Sequence, residues 1–265
     1  MFKDAGRKFP SALGSGFGFG SHAAWMMGHA DVARDRSRRA IASATELNSP
    51  FELAYVQWLS AILQVFLGEF AAAKTAAATA IALSDKYGFK QYAAGSRIFL
   101  GLAEAALGNP GRGMPIVSLG LRGLNDSGFG VMMTLFGSSV AVAEALDGNV
   151  SRALETVEKA LQMNPAELSW RPEAIRIRGE LRLRLNQGGA AERDFREAVE
   201  LARQIGASAW ELRSAMNLAR MLRLRRDIVE ARSLLEPLYS SFTEGFDTAD
   251  LKDAKALLDE LGDSR

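Results

Sequence analysis

The side chains that could do chemistry are few and poorly grouped. His22 and His29 are the histidines of the chain, seven residues apart. That spacing is two helical turns, so a single helix through both would put them on one face. A metal site needs a third ligand as well, no carboxylate stands at a matching spacing, and Gly28 predicts a helix end between the two. They are expected to be structural or solvated, with no metal and no cofactor. Gly14, Gly16, Gly18 and Gly20 precede a helical stretch. A phosphate cradle would need backbone N–H groups after a strand and a lysine close by, and neither is present. The run is read as a flexible lead-in or helix start, and residues 1–17 are assigned to it. Glu173, Glu180, Glu192 and Glu197 would suit acid–base work, but each has an arginine at helical spacing (Arg176, Arg184, Arg193, Arg196). Surface ion pairs worth about 0.2–1 kcal/mol each account for them. The sequence suggests no histidine partner for any serine, so a hydrolase triad is not supported. With no cysteine in the chain, disulfides, thiolate metal sites and cysteine nucleophiles are excluded, which fits a reducing cytoplasm. No enzymatic activity is expected, and the expected location is cytoplasmic.

A denser set of arginines runs through Arg171, Arg176, Arg178, Arg182, Arg184, Arg213, Arg220, Arg223, Arg225 and Arg226. Acidic residues nearly cancel it, no aromatics interleave to stack bases, and the whole chain carries a net charge of +1. An ion-paired face is expected, with an acidic peptide site as the second reading and no direct nucleic-acid contact. No stretch has the roughly 18 uncharged apolar residues of a membrane span. The run Phe99–Leu107 is interrupted by Glu104. Met1–Pro10 is basic without an apolar run behind it, so neither a signal peptide nor a membrane partner is expected.

These residues are carried by a repeat. Gly28, Gly68, Gly108, Gly148 and Gly188 each lie 40 residues apart. Small residues recur after them at 33, 73, 113, 153, 191 and 231, and again at 40, 80, 120 and 160. Small residues at such positions let two helices approach closely. Tyr55, Trp58, Ile62, Val65 and Phe66 follow the three- and four-residue steps of one helix face. Gly148, Ala153, Val157, Ala160 and Pro165 are similar to the second half of the tetratricopeptide pattern. The reading is all-α: a tetratricopeptide-like, right-handed superhelical solenoid, one domain over residues 18–265. Its A helices are expected at 18–28, 50–67, 90–107, 129–147, 170–186 and 209–224. Its B helices are expected at 30–46, 69–86, 110–125, 149–162, 189–205 and 227–242. A polar capping helix follows at 248–262, opened by Asp247 or Thr248. Pro115 and Pro237 are expected to shorten or kink their helices.

The strings ELRSAMNLARM (211–221), EARSLLEPLYSSFTEGFDTADLKDAKALLDEL (230–261) and RGELRL (178–183) closely resemble one family. It is the C-terminal tetratricopeptide region of large bacterial proteins with a central ATPase module. Such proteins often carry an adenylate/guanylate cyclase-like or winged-helix domain as well. The resemblance is strong over about the last 90 residues and looser over 20–170. It implies a regulatory module that senses a protein or ligand. It carries no catalytic residue across, since no G-x-x-x-x-G-K-[ST] motif is present. The chain would then be a fragment or a stand-alone relative, with other domains of a longer regulator among its partners and a homo-oligomer as a further option.

Tetratricopeptide solenoids present their A helices on a concave surface, and the resemblance transfers that face to two zones. The aromatic zone holds His22, Trp25, Met26, Tyr55, Trp58, Ile62, Phe66, Ile98 and Leu102 and continues with Leu135 and Val142, and the basic zone holds Arg176, Glu180, Arg184, Arg213, Met216, Arg220 and Arg223. Only 13 charged residues lie in 51–149, against 39 in 150–265, which suggests a covered surface in the first stretch. The leading expectation is therefore a scaffold that binds a protein or peptide, with a partly exposed aromatic surface supplying the energy. The alternative is a sensor that takes a small aromatic or aliphatic effector in the same groove.

Overall fold

The computed structural model describes residues 10–262, among which there are thirteen α-helices and no strand. They form helical hairpins: α1 (Ala12–Met26) with α2 (Ala30–Glu46), α3 (Pro50–Phe66) with α4 (Phe70–Tyr87), and α5 (Lys90–Ala106) with α6 (Pro110–Ser127). The next are α7 (Met133–Leu146) with α8 (Val150–Met163), α9 (Arg171–Arg184) with α10 (Gly188–Gln204), and α11 (Ser208–Leu224) with α12 (Ile228–Ser240). The last helix, α13, is Ala249–Gly262. The chain groups into two compact units. Of the described residues, one comprises 10–25, Asp31–Val131 and Val142–Gly148; the other comprises Met26–Ala30, Met132–Ala141 and 149–262.

The repeat is visible in the turn between each pair of helices. Gly28, Gly68, Gly108 and Gly148 all have positive φ, the left-handed conformation that ends a helix without steric cost at glycine. The fifth and sixth turns use Asn186 (φ 59°) and Arg226 (φ 66°). The fifth turn is thus set by Asn186, two residues before the expected Gly188, which opens α10 instead. The small residues of the B helices are all buried, with Ala33, Ala73, Ala153, Ala191 and Ala231 at 0 % exposure. In the third hairpin the approach is so close that a Cβ on Gly101 would stand 2.6 Å from the Gly113 carbonyl oxygen.

Two helix starts differ from the sequence expectation. α1 begins six residues earlier than expected, so Ala12–Phe17, read as lead-in, are helical; Met1–Phe9 lie outside the described residues. The cause is tertiary. Buried Glu52 on α3 accepts hydrogen bonds from the backbone N–H and the hydroxyl of Ser11, at the N-terminus of α1. A carboxylate there complements both the unpaired N–H groups and the helix dipole. α7 starts four residues later than expected, behind Met132 with its positive φ. Pro115 leaves α6 at eighteen residues, unshortened, while α12, with Pro237, is the shortest helix at thirteen.

In the first unit the A helices α3 and α5 are buried on nearly all sides, around Leu59, Ile62, Leu63, Ile98 and Phe99. In the second, α10, α11, α12 and α13 close over Phe195, Leu212, Leu222, Leu235 and Leu257. α13 buries Leu251, Ala254, Leu257 and Leu261 against this cluster and leaves Lys252, Asp253, Asp259 and Glu260 in water, the amphipathic division of a cap. The Thr248 hydroxyl donates to the Gly245 carbonyl, and the Thr248 carbonyl opens the helix by accepting from Lys252 N–H.

Candidate functional site

The aromatic zone is core, not surface. Trp25, Trp58 and Phe66 are each 3 % exposed, Tyr55 is 4 %, and Ile62, Ile98 and Leu102 are equally buried. The expected partly exposed aromatic face is corrected accordingly. Tyr55, Trp58, Ile62 and Phe66 do share one face of α3, and that face is filled by rings from its neighbours. Trp25 stacks on Phe66 at 4.9 Å between centroids, and Trp58 stacks on Tyr92 at 5.6 Å. Tyr55 lies against Phe19, Trp58 and Tyr92, and Trp58 also meets Phe129 edge-on. Burial raises the Tyr92 phenol to about 12 and raises Tyr55 too, partly offset there by a hydrogen bond with Ser15. The low charge of residues 51–149 therefore reflects A helices enclosed by their own repeats. Neither a protein nor a small molecule finds open space among these seven side chains.

The glycine run belongs to the same packing. A Cβ on Gly14 would sit 2.5 Å from Glu52 Oε2, and one on Gly18 would collide with Leu59 Cδ1, whereas Gly16 faces open space. His22 on α1 is buried, and its Nε2 donates to the Leu59 carbonyl at 2.8 Å. Burial lowers its pKa to about 4, so the ring is neutral at physiological pH. His29 is exposed beyond the end of α1. No group of three or more His, Cys, Asp or Glu placed to hold a metal occurs among the described residues.

The basic zone is different in kind. On α9, Glu173, Arg176, Glu180 and Arg184 fall at steps of three and four residues; on α11, Arg213, Asn217, Arg220 and Leu224 do the same. The two stripes are cross-linked. Arg176 pairs with Glu173 and Glu180 at 2.6 Å each. Arg213 pairs with Asp250 of α13 at 2.8 Å and with Glu173 at 3.3 Å. Asn217 donates to Glu180 at 2.7 Å. Burial pushes the Glu173 carboxyl up, but the guanidinium groups of Arg176 and Arg213 more than offset this and hold it below its ordinary value. Burial likewise works against Arg176, and Glu173 with Glu180 overcomes it, raising its pKa further. Arg176, expected to orient a partner, is therefore mostly committed within the unit, with its side chain 11 % exposed. Arg223 pairs with Glu260 of α13 and keeps 36 % of its side chain exposed. Arg220 is exposed, with no ion-pair partner among the described residues.

The stripe thus grades from a closed ionic cluster at Glu173, Arg213 and Asp250 to an open end at Arg184, Arg220 and Leu224. Glu180, its side chain 44 % exposed, and Asn217 lie between. Such a face presents carboxylate, amide and guanidinium groups. On the B-helix side of this unit, buried Asp194 accepts from both Arg178 and Arg182, at 2.7 and 2.9 Å, and Arg182 also reaches Glu158. That part of the arginine set is ion-paired, as expected, but around a buried carboxylate instead of on a solvated face. Sequence reasoning missed Glu52, whose role depends on a helix start 41 residues away, and Asp194, whose role depends on the packing of α10 against α9.

No protein-family model and no curated protein matches the chain. Solved structures do resemble it. A Rap protein complexed with competence and sporulation factor superposes with a TM-score of 0.64 at 11% identity, covering 98% of this chain and 78% of that one. A signal transduction ATPase with numerous domains from Pyrococcus horikoshii, which carries a tetratricopeptide repeat sensor, gives 0.59 at 15% identity, over 97% of this chain and 40% of that one. The apo form of RapI gives 0.54 at 10% identity, over 95% and 97%. At these identities the likeness defines the fold: the chain has the tetratricopeptide-like α-solenoid architecture.

Proposed function

We propose that this chain is a non-catalytic regulatory module of the cytoplasm that binds a protein or peptide along the A-helix face of α9 and α11. The observation that carries the reading is the polar stripe from Glu180 and Asn217 to Arg184 and Arg220. It lies on consecutive A helices and is half-exposed, and at its open end Arg220 is exposed with no ion-pair partner among the described residues. The aromatic zone is left out of the proposal, because its side chains are spent on each other. The reading extends to a role as the sensor or adaptor of a larger regulator, for two reasons. The strings quoted from 178–261 resemble ATPase-associated repeats, and one structural neighbour is an ATPase with such a sensor.

The test uses the full chain and a double variant, Asn217→Ala with Arg184→Glu, as baits for native capture from a lysate. Bound polypeptides are identified by mass spectrometry. Arg184 is exposed and Asn217 half-exposed, outside the closed cluster at Glu173, Arg213 and Asp250, so equal circular dichroism is expected. A polypeptide retained by the parent chain and lost with the double variant is the expected result. Equal retention by both, or retention of a small molecule alone, would sink the reading. The same preparation is expected to show no nucleotide hydrolysis and no cyclase turnover.

A further inference from the structure

We infer that the corner where α11 turns into α12 is a docking point for an acidic, amphipathic helical segment of the partner polypeptide, an inference that rests on the binding reading above. Leu224 is 80 % exposed and Val229 is 85 % exposed, whereas the other exposed large hydrophobic residues reach 37–62 %. The two flank the short turn 225–227. The repeat does not require Val229. Three residues after the left-handed turn residue, the other hairpins carry Asp31, Ala71, Gly111, Ser151 and Gly189, all exposed and none a large apolar side chain. Leu224 ends the stripe Arg213, Asn217, Arg220, so the corner is continuous with the proposed binding face.

The charge around these side chains is biased. Arg220, Arg223, Arg225 and Arg226 fall within seven residues. Arg223 is held by Glu260 and Arg225 by Glu192. Arg220 and Arg226 are exposed with no ion-pair partner among the described residues, against Asp227 as the corner's carboxylate without an ion pair. Arg226 also occupies the left-handed turn position that Gly28, Gly68, Gly108 and Gly148 fill elsewhere, a conformation that disfavours a side chain. An arginine tolerated there, beside two unburied apolar groups, complements a ligand with carboxylates along one helix face and aliphatic side chains beside them. Guanidinium groups at the rim of an apolar contact suit such a partner. A membrane surface is disfavoured, because two side chains supply too little apolar area for anchoring. A nucleic acid is disfavoured by the absence of aromatic residues between 220 and 230 to stack bases.

The probe is a fluorescein-labelled synthetic peptide of about four helical turns, with glutamate on one face and leucine on the other. Its control has lysine in place of every glutamate. Anisotropy with the full chain is expected to saturate for the glutamate peptide only. Leu224→Ser with Val229→Ser, and separately Arg220→Gln with Arg226→Gln, are each expected to weaken binding at least about tenfold. The arginine pair should also flatten the salt dependence. These side chains are exposed, so circular dichroism and melting temperature should not move. No saturable binding, equal binding of the lysine peptide, or indifference to both corner variants would overturn the inference. So would binding to phosphatidylserine-containing vesicles in place of the peptide. If Asn217→Ala with Arg184→Glu abolishes capture of a polypeptide while the corner variants do not affect it, the corner inference fails and the binding face stands. If neither set of variants affects capture, the binding face fails as well.

Discussion

His22 gives the fold a measurable dependence on pH. In the native chain its pKa is lowered to about 4 by burial, while in the unfolded chain it returns to the ordinary 6.5. Between these values the unfolded state binds the proton and the folded state does not, so stability rises with pH across that window. The contribution is fully present above 6.5, is lost progressively as pH falls from 6.5 through about 4, and changes no further below. A gap of about 2.5 units at about 1.4 kcal/mol per unit gives a loss of about 3.5 kcal/mol in full, of which about 3 kcal/mol is lost by pH 4. His22→Gln is the informative perturbation: the amide can still donate towards the Leu59 carbonyl but does not titrate between pH 4 and 7. Chemical denaturation of both proteins at a series of pH values, followed by fluorescence, yields the difference in unfolding free energy. The parent chain should lose about 3 kcal/mol more than the variant between pH 7 and pH 4. Glu173, held below its ordinary value, adds a loss of its own on acidification towards and below that value, but it is common to both proteins and cancels in the comparison. Identical pH profiles would show that the His22 ring is solvated or has a charge partner, and would refute the packing described for α1.

Trp58→Ala should cost about 3–5 kcal/mol in the same denaturation assay, the usual penalty for emptying a buried aromatic site, and an unchanged melting temperature would return Trp58 to the surface. Gly14→Ala and Gly18→Ala should each destabilise by about 1–3 kcal/mol through overpacking against Glu52 and Leu59. Gly16→Ala, facing open space in the same helix, should stabilise by up to about 1 kcal/mol; equal effects at the three positions would contradict the described register of α1. Deleting 249–265 should expose Leu235 and Leu222 and promote aggregation seen by light scattering, and a truncated chain that stays monomeric with the parent's melting temperature would remove the capping role.

The hairpins were legible because their information is local. Small residues at 33, 73, 113, 153, 191 and 231 must sit where two helices touch, and all six do. The boundaries of α2, α3, α5 and α11 follow within a residue or so from apolar period and turn glycines. The turn at Arg226 falls between the expected helices, whereas the one at Asn186 comes two residues before the expected Gly188. The helix start read from the glycine run was set too late, because a glycine that frees a loop and one that admits a neighbour's carboxylate look alike in sequence. Ser11 and Glu52 are 41 residues apart, and only their meeting distinguishes the two.

The placement of the binding face needed the tertiary structure for the same reason. Periodicity put Trp58, Ile62 and Phe66 on one face of α3 correctly, but whether a face is open depends on what the other helices set against it. Here Tyr92, Phe129, Phe19 and Trp25 close it. The sequence by itself determined helix content, hairpin length and the apolar side of each helix, since these follow from the 3.6-residue period and from steric limits within a few turns. The structure alone decided exposure: that Arg176 is held by two glutamates while Arg220 is free of them, and that Leu224 and Val229 stand in water. Burial is a sum over neighbours from distant parts of the chain, and no local pattern contains that sum.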